Sequence, residues 1–568
     1  MWNDVRARHF RNSSKHSIFV LGAAGILALG ATLPAFAHNP SAVKNRKLET
    51  CPTATFFNAK LSKNFHAPYN EQAVLKSLLT SPVGKSILPN LWVNARQAKP
   101  CFAMSDTPIW GKVVSRIPAD IVALEVSSDL GHVLVYTTGL PDYKMETPKL
   151  FSGFKPGNIY GVYKFSAEPK PDTRPVHEFG SKGAVGLFVN GVSIFNYSDT
   201  FSYQDKGAFA YNANVAEAAI VNSDIAHATP SNLPQFPKSR GIFHNHQMSN
   251  ELLQQLRDPY WRGVREHSKV VGYAIDSYPI YGPLGYSSKD KSSGIKTLKS
   301  SYLQRSWLEM SKGGTGHRSS MPEWAVRNWD RSNDSSDKIL NLFQKAKDEI
   351  LYRDKGTGGP VLYAGEDAKL AAEIKFFNQS NKLKRDTQGY VYWEASVRGA
   401  SGKNTLVRNY LLKASDLWGP DIGQEVLPVS FQIADQDKFL FKAVTGAFAE
   451  DHEFIAGYGD LDFFNGIESF VPEQGRAAYH YVATFGADVS HRKRMSAASF
   501  PYFIGIQYRG VVDPLNATLD EKEKAKYLTD NRSRYKAVFD LGVTGKTDDG
   551  GLHSGSVIET WRKTLSGE

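Results

Sequence analysis

The sequence predicts a mainly β protein, in which short and mostly antiparallel strands form a sandwich-like domain with a helical insertion, α+β overall. Aromatic residues make up 12% of the 568 residues, which suits half-buried strands. The 47 glycines and 28 prolines supply many turns between such strands. Several segments also alternate apolar and polar residues with a period of two. We therefore expect a large core between sheets rather than within a helical bundle.

The first 37 residues have the pattern of a signal peptide. Four basic side chains precede an uncharged, largely apolar run at 17–33, and Ala35-Phe36-Ala37 offers a cleavage site. A membrane anchor is the alternative, because the length of this run is at the lower limit for a helix that spans a membrane. Pro34 and the small residues favour cleavage, and no later stretch is apolar enough to span a bilayer. We predict a periplasmic or secreted protein without a membrane span after removal of residues 1–37.

Residues 38–107 form an N-terminal segment with the two cysteines of the chain, Cys51 and Cys101. An even count in an exported protein predicts one disulfide, although two free buried thiols are the alternative. With no further cysteine, a thiolate nucleophile and a cysteine-based zinc site are nearly excluded.

The net charge indicates which partners to expect. The formal charge is +11, and residues 1–37 contribute four basic and one acidic side chain, which leaves +8 on the rest. The basic residues are spread along the chain, with only short clusters. This distribution favours solubility and contact with an anionic cell envelope or extracellular polymer, and we expect no nucleic-acid partner.

The main domain is predicted at 108–512. Alternating strands begin near residue 108, and GLFVNGVSIFNYSD at 186–199 is the clearest hairpin, since Asn190-Gly191 suits a type I′ turn. The segment at 269–286 also has strand character, but Pro279 and Pro283 predict an edge strand or turns.

A helical insertion is predicted at about 330–390, because KILNLFQKAKDEILYR and EDAKLAAEIKFFNQ both have apolar residues at helical spacing. Strand character then returns and continues to about residue 512. Residues 513–568 form a charged C-terminal tail.

The stretch GIFHNHQMS at 241–249 contains the first candidate site. His244 and His246 at positions i and i+2 would lie on one face of a strand, close enough to bind one metal ion. Imidazole ligands suit Zn²⁺ or Cu²⁺ better than Ca²⁺. Hydrogen bonding of loops to strands is the alternative role for these histidines. A third ligand would come from His227, His267, His480 or Asp276.

An acidic stretch at 447–466 is a second candidate. Its carboxylate and amide oxygens suit a calcium loop, although the spacing departs from that of an EF-hand. The alternative is an acidic loop that orients His452 or caps turns. The oxygen ligands would be Glu450, Asp451, Asp460, Asp462 and Asn465.

Several enzyme classes lack their motifs in this sequence. There is no G-x-S-x-G for a serine hydrolase and no GxGxxG or P-loop for nucleotides. The adjacent letters H-N-H do not indicate a nuclease, since in those enzymes the named residues are dispersed along the motif.

Taken together, the segments resemble the YHYH-domain family of exported proteins, which is largely uncharacterised. The matching segments occur in order: NGVSIFNYSD at 190–199, AHATP at 226–230, FHNHQ at 243–247, HSKVVGYAIDSYPIYGPLGY at 267–286, EDHEFIAGYGDLDFFNG at 450–466, YHYV at 479–482 and FPYFIGIQYRG at 500–510. The resemblance covers roughly 108–512, interrupted by the insertion.

The resemblance implies that His227, His244, His246, His267, Asp276 and His480 belong to one constellation, for which a metal site is the natural explanation. The sequence departs from the family pattern at three positions. Phe243 and Asn245 stand at the tyrosine positions of the first motif, and Val482 replaces a histidine in the later one. A symmetric pair of His-x-His sites is therefore not expected.

The sequence suggests three functions, which we give in descending order of preference. The first is an exported protein that binds a divalent metal ion, zinc or copper, through its histidines. The second is an envelope or matrix interaction protein with a calcium-stiffened loop. The third is a metal-assisted hydrolase, with a histidine or Asp276 as general base and nearby tyrosines to orient substrate; these would be Tyr278, Tyr281, Tyr479 and Tyr481.

Overall fold

The structure is a computed structural model that describes strands between residues 108 and 141 and most of the chain from 159 to 517. Its longer internal gaps are 310–314, 328–341, 346–350, 354–359, 428–439 and 486–497. The predicted signal peptide, Cys51 with Cys101, and the tail beyond residue 517 lie outside the described residues.

Strands predominate in the described part of the chain. The first fifteen, in chain order, are β1 (Pro108–Ile109), β2 (Lys112–Val113), β3 (Val122–Val126), β4 (His132–Thr137), β5 (Gly161–Ser166), β6 (Ala184–Phe188), β7 (Ser193–Phe195), β8 (Ser198–Ser202), β9 (Ala210–Asn212), β10 (Ala226–Ala228), β11 (Ser231–Leu233), β12 (Phe236–Arg240), β13 (Phe243–Asn245), β14 (Val270–Ala274) and β15 (Pro279–Tyr281). The others are β16 (Leu284–Tyr286), β17 (Ile295–Thr297), β18 (Tyr302–Gln304), β19 (Ser320–Pro322), β20 (Leu351–Arg353), β21 (Pro360–Leu362), β22 (Leu383–Arg385), β23 (Val391–Arg398), β24 (Asn404–Leu411), β25 (Glu425–Val426), β26 (Phe441–Lys442), β27 (His452–Phe454), β28 (Gly466–Val471) and β29 (Arg476–Val482).

The described α-helices are short. They are α1 (Ala213–Ala216), α2 (Asn250–Leu256), α3 (Pro259–Arg262), α4 (Glu323–Arg327), α5 (Ala368–Asn378) and α6 (Pro514–Ala517). Among the described residues, no helix has the length and apolarity that crossing a membrane requires.

An eight-stranded sheet is the main element of the fold. Its strand order is β10-β13-β7-β6-β14-β15-β29-β28. The pairs β13–β7 and β15–β29 are parallel, and the other pairs in this sheet are antiparallel. Two smaller sheets have the orders β19-β24-β23-β22 and β3-β4-β5. The predicted fold class, mainly β with mostly antiparallel short strands and few helices, is confirmed.

The centre of the large sheet is buried on both faces. All five residues of β14, VVGYA, are buried, and so are four of the five in β6, AVGLF, which explains their nearly continuous apolar sequence. A Cβ atom added at Gly186 would lie 2.6 Å from the carbonyl oxygen of Tyr273, and one at Gly272 would lie 2.6 Å from that of Leu187. The two strands therefore approach closely only because each has a glycine there.

The predicted hairpin is present, but its turn differs from the predicted one. Strands β6 and β7 pair antiparallel, and three residues connect Phe188 to Val192. Gly191 has a φ of +85°, whereas Asn190 is absent from the described residues with positive φ. The prediction of a type I′ turn is therefore wrong. The loop is a three-residue turn with glycine in the left-handed conformation.

The edge-strand prediction at 269–286 is wrong. Strand β15 lies inside the large sheet, between β14 and β29. Pro279 is its first residue and Pro283 follows its end, so neither missing N–H interrupts the ladder.

The stretch at 330–390 is mixed rather than helical. Its second predicted helix is present as α5. In the first, Leu351–Arg353 is strand β20, and Phe343 and Lys345 form isolated bridges to Leu412 and Tyr390. Helical spacing alone misled here because bridges to a neighbouring sheet, which are tertiary contacts, satisfy this backbone.

Candidate metal centre

Three histidines meet at one edge of the large sheet. Strands β10 and β13 pair antiparallel with His227 directly opposite His244, so both side chains leave the same face. His246 follows the end of β13. The three imidazole rings are mutual neighbours, with centres 4.3 to 5.8 Å apart.

Each of these rings is held by its Nδ1 atom. The partners are the carbonyl oxygens of Ala228 at 2.9 Å for His227, Ile242 at 2.8 Å for His244 and Asn196 at 2.6 Å for His246. A carbonyl oxygen only accepts, so each Nδ1 carries a proton. The neutral ring then has its lone pair on Nε2, which is the arrangement that orients histidine ligands in metalloproteins.

Glu217 completes the cluster. This residue follows α1, and its Oε2 atom lies 2.7 Å from Nε2 of His227 and 2.9 Å from Nε2 of His246. The Nε2 atoms of His244 and His246 are 3.1 Å apart. One potential ligand atom from each of the four residues lies within 4.8 Å of the others. We call Glu217, His227, His244 and His246 the His/Glu cluster.

The cluster is enclosed, and the charges of its members shift one another's pKa values. The exposed fractions of the three histidines do not exceed 4%, and Phe195 stacks on His244 with ring centres 3.8 Å apart. Burial holds the pKa of His244 well below its usual value. Burial opposes ionisation of Glu217, but His246 and His227 outweigh it and keep the Glu217 pKa well below normal. Burial lowers the pKa of His246, but the Glu217 carboxylate outweighs it and raises this pKa above its usual value. Without a metal, Nε2–H of His246 therefore donates to Glu217, and a bound ion would displace that proton.

The structure divides the six residues that the family resemblance placed together. His227, His244 and His246 lie in the His/Glu cluster, whereas His267, His480 and Asp276 are not among its ligand atoms. Five strand spacings separate β13 from β29, which carries His480, a distance of about 24 Å across the sheet. His267 and His480 instead neighbour each other, with ring centres 6.1 Å apart.

Asp276 belongs to a separate buried network. Its Oδ2 atom accepts hydrogen bonds from the Tyr481 hydroxyl at 2.6 Å and the Gly510 amide at 2.8 Å. Burial raises the pKa of Asp276 to about 6, although these hydrogen bonds act in the opposite direction.

Replacing Asp276 by asparagine should change how stability depends on pH. The folded pKa of Asp276 lies above the ordinary value of 3.8, so the folded state binds the proton more tightly, and wild-type stability falls as pH rises from about 4 through about 6. Asp276→Asn should lack this decline. At about 1.4 kcal/mol per pKa unit, the stability difference between the two proteins should move by on the order of 3 kcal/mol in favour of the variant between pH 4 and 7.

Urea unfolding of both proteins across this pH range tests the expectation. The difference between them matters, because other titrating groups contribute equally to both curves. A pH-independent difference would show that Asp276 ionises normally in the folded protein.

The tyrosines proposed to orient substrate fall into two groups. Tyr278 and Tyr479 line a cavity of about 390 Å³ that also contains Arg509, whose guanidinium lies over the Tyr479 ring. Tyr281 and Tyr481 are buried in the core. The cavity lining includes none of the residues of the His/Glu cluster, so this geometry does not support a hydrolase that uses the cluster.

The residues of the predicted calcium loop have protein partners. Glu450 accepts from the amides of Phe209 and Ala210, and Asp451 pairs with Arg318. Asp460 pairs with Lys296, Asp462 accepts from two amides and the Tyr479 hydroxyl, and the Asn465 amide donates to two carbonyl oxygens. The Asp462 contacts to the Phe464 and Gly466 amides cap a turn, which is the alternative considered for this stretch, whereas Asp451 and Asp460 form ion pairs. Calcium binding stays a prediction.

Sequence reasoning missed Glu217. The residue lies ten positions before His227 in AEAAIVNSDIAHATP, and no motif quoted for the family resemblance includes it. The available signal was that acidic residues are scarce before the histidine pair. Between residues 200 and 243 they are Asp205, Glu217 and Asp224. A search for a charge-compensating ligand near the histidines would have considered all three.

Comparison with known proteins supports the resemblance. The model of the YHYH protein family matches residues 162–336 and 410–495. These ranges contain the whole His/Glu cluster, and the unmatched residues between them include α5. No curated protein and no solved structure matches the chain. The predicted resemblance is thereby confirmed over these two ranges, in which the chain matches the YHYH protein family.

Proposed function

We propose that this protein is an exported metal-binding protein that holds one zinc ion in the His/Glu cluster. One observation supports this above all. Three Nε2 atoms, each oriented by a hydrogen bond from Nδ1 to a backbone carbonyl, converge with one carboxylate oxygen within 4.8 Å. Tetrahedral zinc with bonds of about 2.1 Å places its ligand atoms about 3.4 Å apart, which falls between the shortest contact in the cluster, 2.7 Å, and the 4.8 Å within which all four ligand atoms lie.

The chemistry of the ligands favours zinc over the hard cations. Three imidazoles and one carboxylate suit zinc or copper, whereas calcium and magnesium prefer oxygen ligands. One carboxylate would reduce the charge of a divalent ion to about +1 in a buried site, which lowers the cost of its desolvation. Four ligands in a closed arrangement fit the tetrahedral preference of zinc better than the tetragonal preference of Cu²⁺.

A structural or metal-holding role fits better than catalysis. A catalytic zinc site keeps one position open for water, and here four protein side chains are available while the three histidines are buried. The ligands come from the turn after α1, from β10, and from β13 with the residue after it. A metal ion would therefore link three segments. Export rests on the sequence of residues 1–37.

Elemental analysis of the purified full-length chain should find about one zinc per chain, and Glu217→Gln should weaken zinc binding by at least tenfold. The amide keeps the shape of the side chain but removes the only negative charge of the cluster. Competition with a chromophoric zinc chelator measures the affinity. Glu266→Gln is the matched control, because the Glu266 side chain is 64% exposed and forms only a surface ion pair.

Three results would contradict the proposal: metal-free protein that takes up no zinc, equal zinc affinity in Glu217→Gln and wild type, or the same loss in Glu266→Gln. If the wild type retains copper instead of zinc and Glu217→Gln loses that copper, the site stands and the identity of its metal is copper.

A further inference from the structure

A second pair of histidines repeats the anchoring pattern of the His/Glu cluster. His267 donates from Nδ1 to the carbonyl oxygen of Ser268 at 2.7 Å, and His480 donates from Nδ1 to that of Ala478 at 3.1 Å. In both rings the lone pair is therefore on Nε2. Neither Nε2 atom is accessible to solvent, and neither has a hydrogen-bond partner within the described part of the chain.

Two unpaired acceptors of one kind in adjacent rings need an explanation. Leaving a buried polar atom without a partner costs about 1–3 kcal/mol, and native proteins rarely keep such atoms. His480 is only 1% exposed. The ring of Tyr281 packs against both imidazoles, with ring centres 5.1 Å from His267 and 4.9 Å from His480. The pair is thus held rigidly in aromatic surroundings with both lone pairs unused.

The distance between the ring centres fits a two-coordinate ion when the two Nε2 atoms face each other. The ring centres are 6.1 Å apart. In imidazole, Nε2 lies about 1.1 Å from the ring centre, and a metal–nitrogen bond is about 2.0 Å long, so two rings on opposite sides of one ion have centres about 6.2 Å apart. The planes are inclined by 61°, and linear coordination imposes no particular angle between the two ring planes.

The charge of the surroundings decides which ion fits. No carboxylate bonds to either Nε2 atom in the described residues, in contrast to Glu217 in the first cluster. Two carboxylates lie near His267: that of Asp258, which already accepts from Ser268, Lys269 and Tyr260, and that of Glu473, which is exposed to solvent. Burying an ion beside neutral ligands has a Born cost that rises with the square of the charge, so a monovalent ion is favoured over a divalent one.

We propose that His267 and His480 bind one Cu(I) ion in linear coordination, at a site separate from the His/Glu cluster. Imidazole is a suitable ligand for copper, and a two-coordinate site accepts the soft monovalent ion while excluding zinc, which requires four ligands.

Anaerobic Cu(I) titration of the full-length chain against a competing chromophoric Cu(I) chelator tests the site. The first site is removed by His244→Ala with His246→Ala, and this background should bind one tight equivalent of Cu(I). Adding His480→Gln should abolish that equivalent. Adding His452→Gln should preserve it, because His452 is another buried histidine with Nδ1 bonded to a carbonyl oxygen, that of Ala449.

A second measurement does not depend on any variant at this site. In ¹⁵N-labelled protein, Ag(I) as a redox-inert probe should shift the Nε2 resonances of His267 and His480 and leave that of His452 unchanged. The proposal is overturned if these resonances do not move, as expected for two acceptors that share an enclosed water molecule. It is also overturned if folded His480→Gln protein retains the tight Cu(I) equivalent. Zinc content of the wild type is measured independently, so failure here leaves the zinc proposal intact.

Discussion

Replacing His244 and His246 together by alanine should abolish zinc binding and lower the stability of the metal-loaded protein by about 4 kcal/mol at a free zinc concentration a thousandfold above Kd. The two residues supply two of the four ligand atoms in the His/Glu cluster. Because the ion would bind only the folded state, it adds its binding free energy to the free energy of unfolding. Elemental analysis and thermal unfolding with and without a chelator measure the two effects.

The chelator separates loss of metal from loss of packing. Alanine at these positions also leaves cavities, so both proteins are compared after zinc removal, and only the chelator-sensitive part is assigned to the metal. His452→Ala is the matched control, since His452 is buried and stacks on Phe500 with ring centres 4.0 Å apart. A chelator that lowers the melting temperature equally in wild type and double variant would refute the assignment.

Removing the carboxylate of Asp451 should destabilise the fold by about 3–5 kcal/mol, since it leaves a buried arginine unpaired. Asp451 and Arg318 are both fully buried, with Nε to Oδ1 at 2.8 Å and Nη2 to Oδ2 at 3.0 Å. Asp451 also accepts from the amides of Gly446 and Phe448. Urea unfolding of Asp451→Ala and wild type measures the loss, which approaches the total stability of many domains.

A surface ion pair provides the comparison. Lys384 and Glu394 form a short salt bridge, but the lysine is 51% exposed, so Glu394→Ala should cost less than about 1 kcal/mol. Similar losses in both variants would mean that the Arg318 charge is relieved in another way, for example by water entering the site. The contrast tests burial, because both substitutions remove one carboxylate from one ion pair.

The strand-rich class could be read from the sequence because it depends on local patterns. Alternation and turn residues located the β6–β7 hairpin, and the apolar run at 269–274 became β14. The rule that proline marks an edge strand failed at Pro279. Proline lacks an N–H, but the sequence cannot show whether a neighbouring strand would have bonded to that N–H. The prediction of a helix for KILNLFQKAKDEILYR was wrong for a related reason. Periodicity cannot distinguish a helix from a segment whose backbone is hydrogen-bonded to a strand distant in sequence.

The candidate metal centre was predictable only in part. The i, i+2 spacing and the nearby AHATP segment identified His244, His246 and His227. Glu217 was missed because its position depends on how α1 returns the chain to the sheet edge. His267 and His480 were grouped with the first three through the family resemblance, yet His480 lies on β29, in the other half of the sheet, and His267 neighbours His480.

The sequence by itself determined a mainly β chain that resembles the YHYH family and has a close pair of histidines at 244 and 246. Short-range chemistry suffices for this, because residues within one strand or hairpin have a separation set by the backbone. Only the tertiary structure decided which distant residues join them. The register of β10 against β13 places His227 opposite His244, and the parallel pairings β13–β7 and β15–β29 connect segments that are not adjacent in sequence. Those pairings depend on burial of the whole core, which no local pattern records.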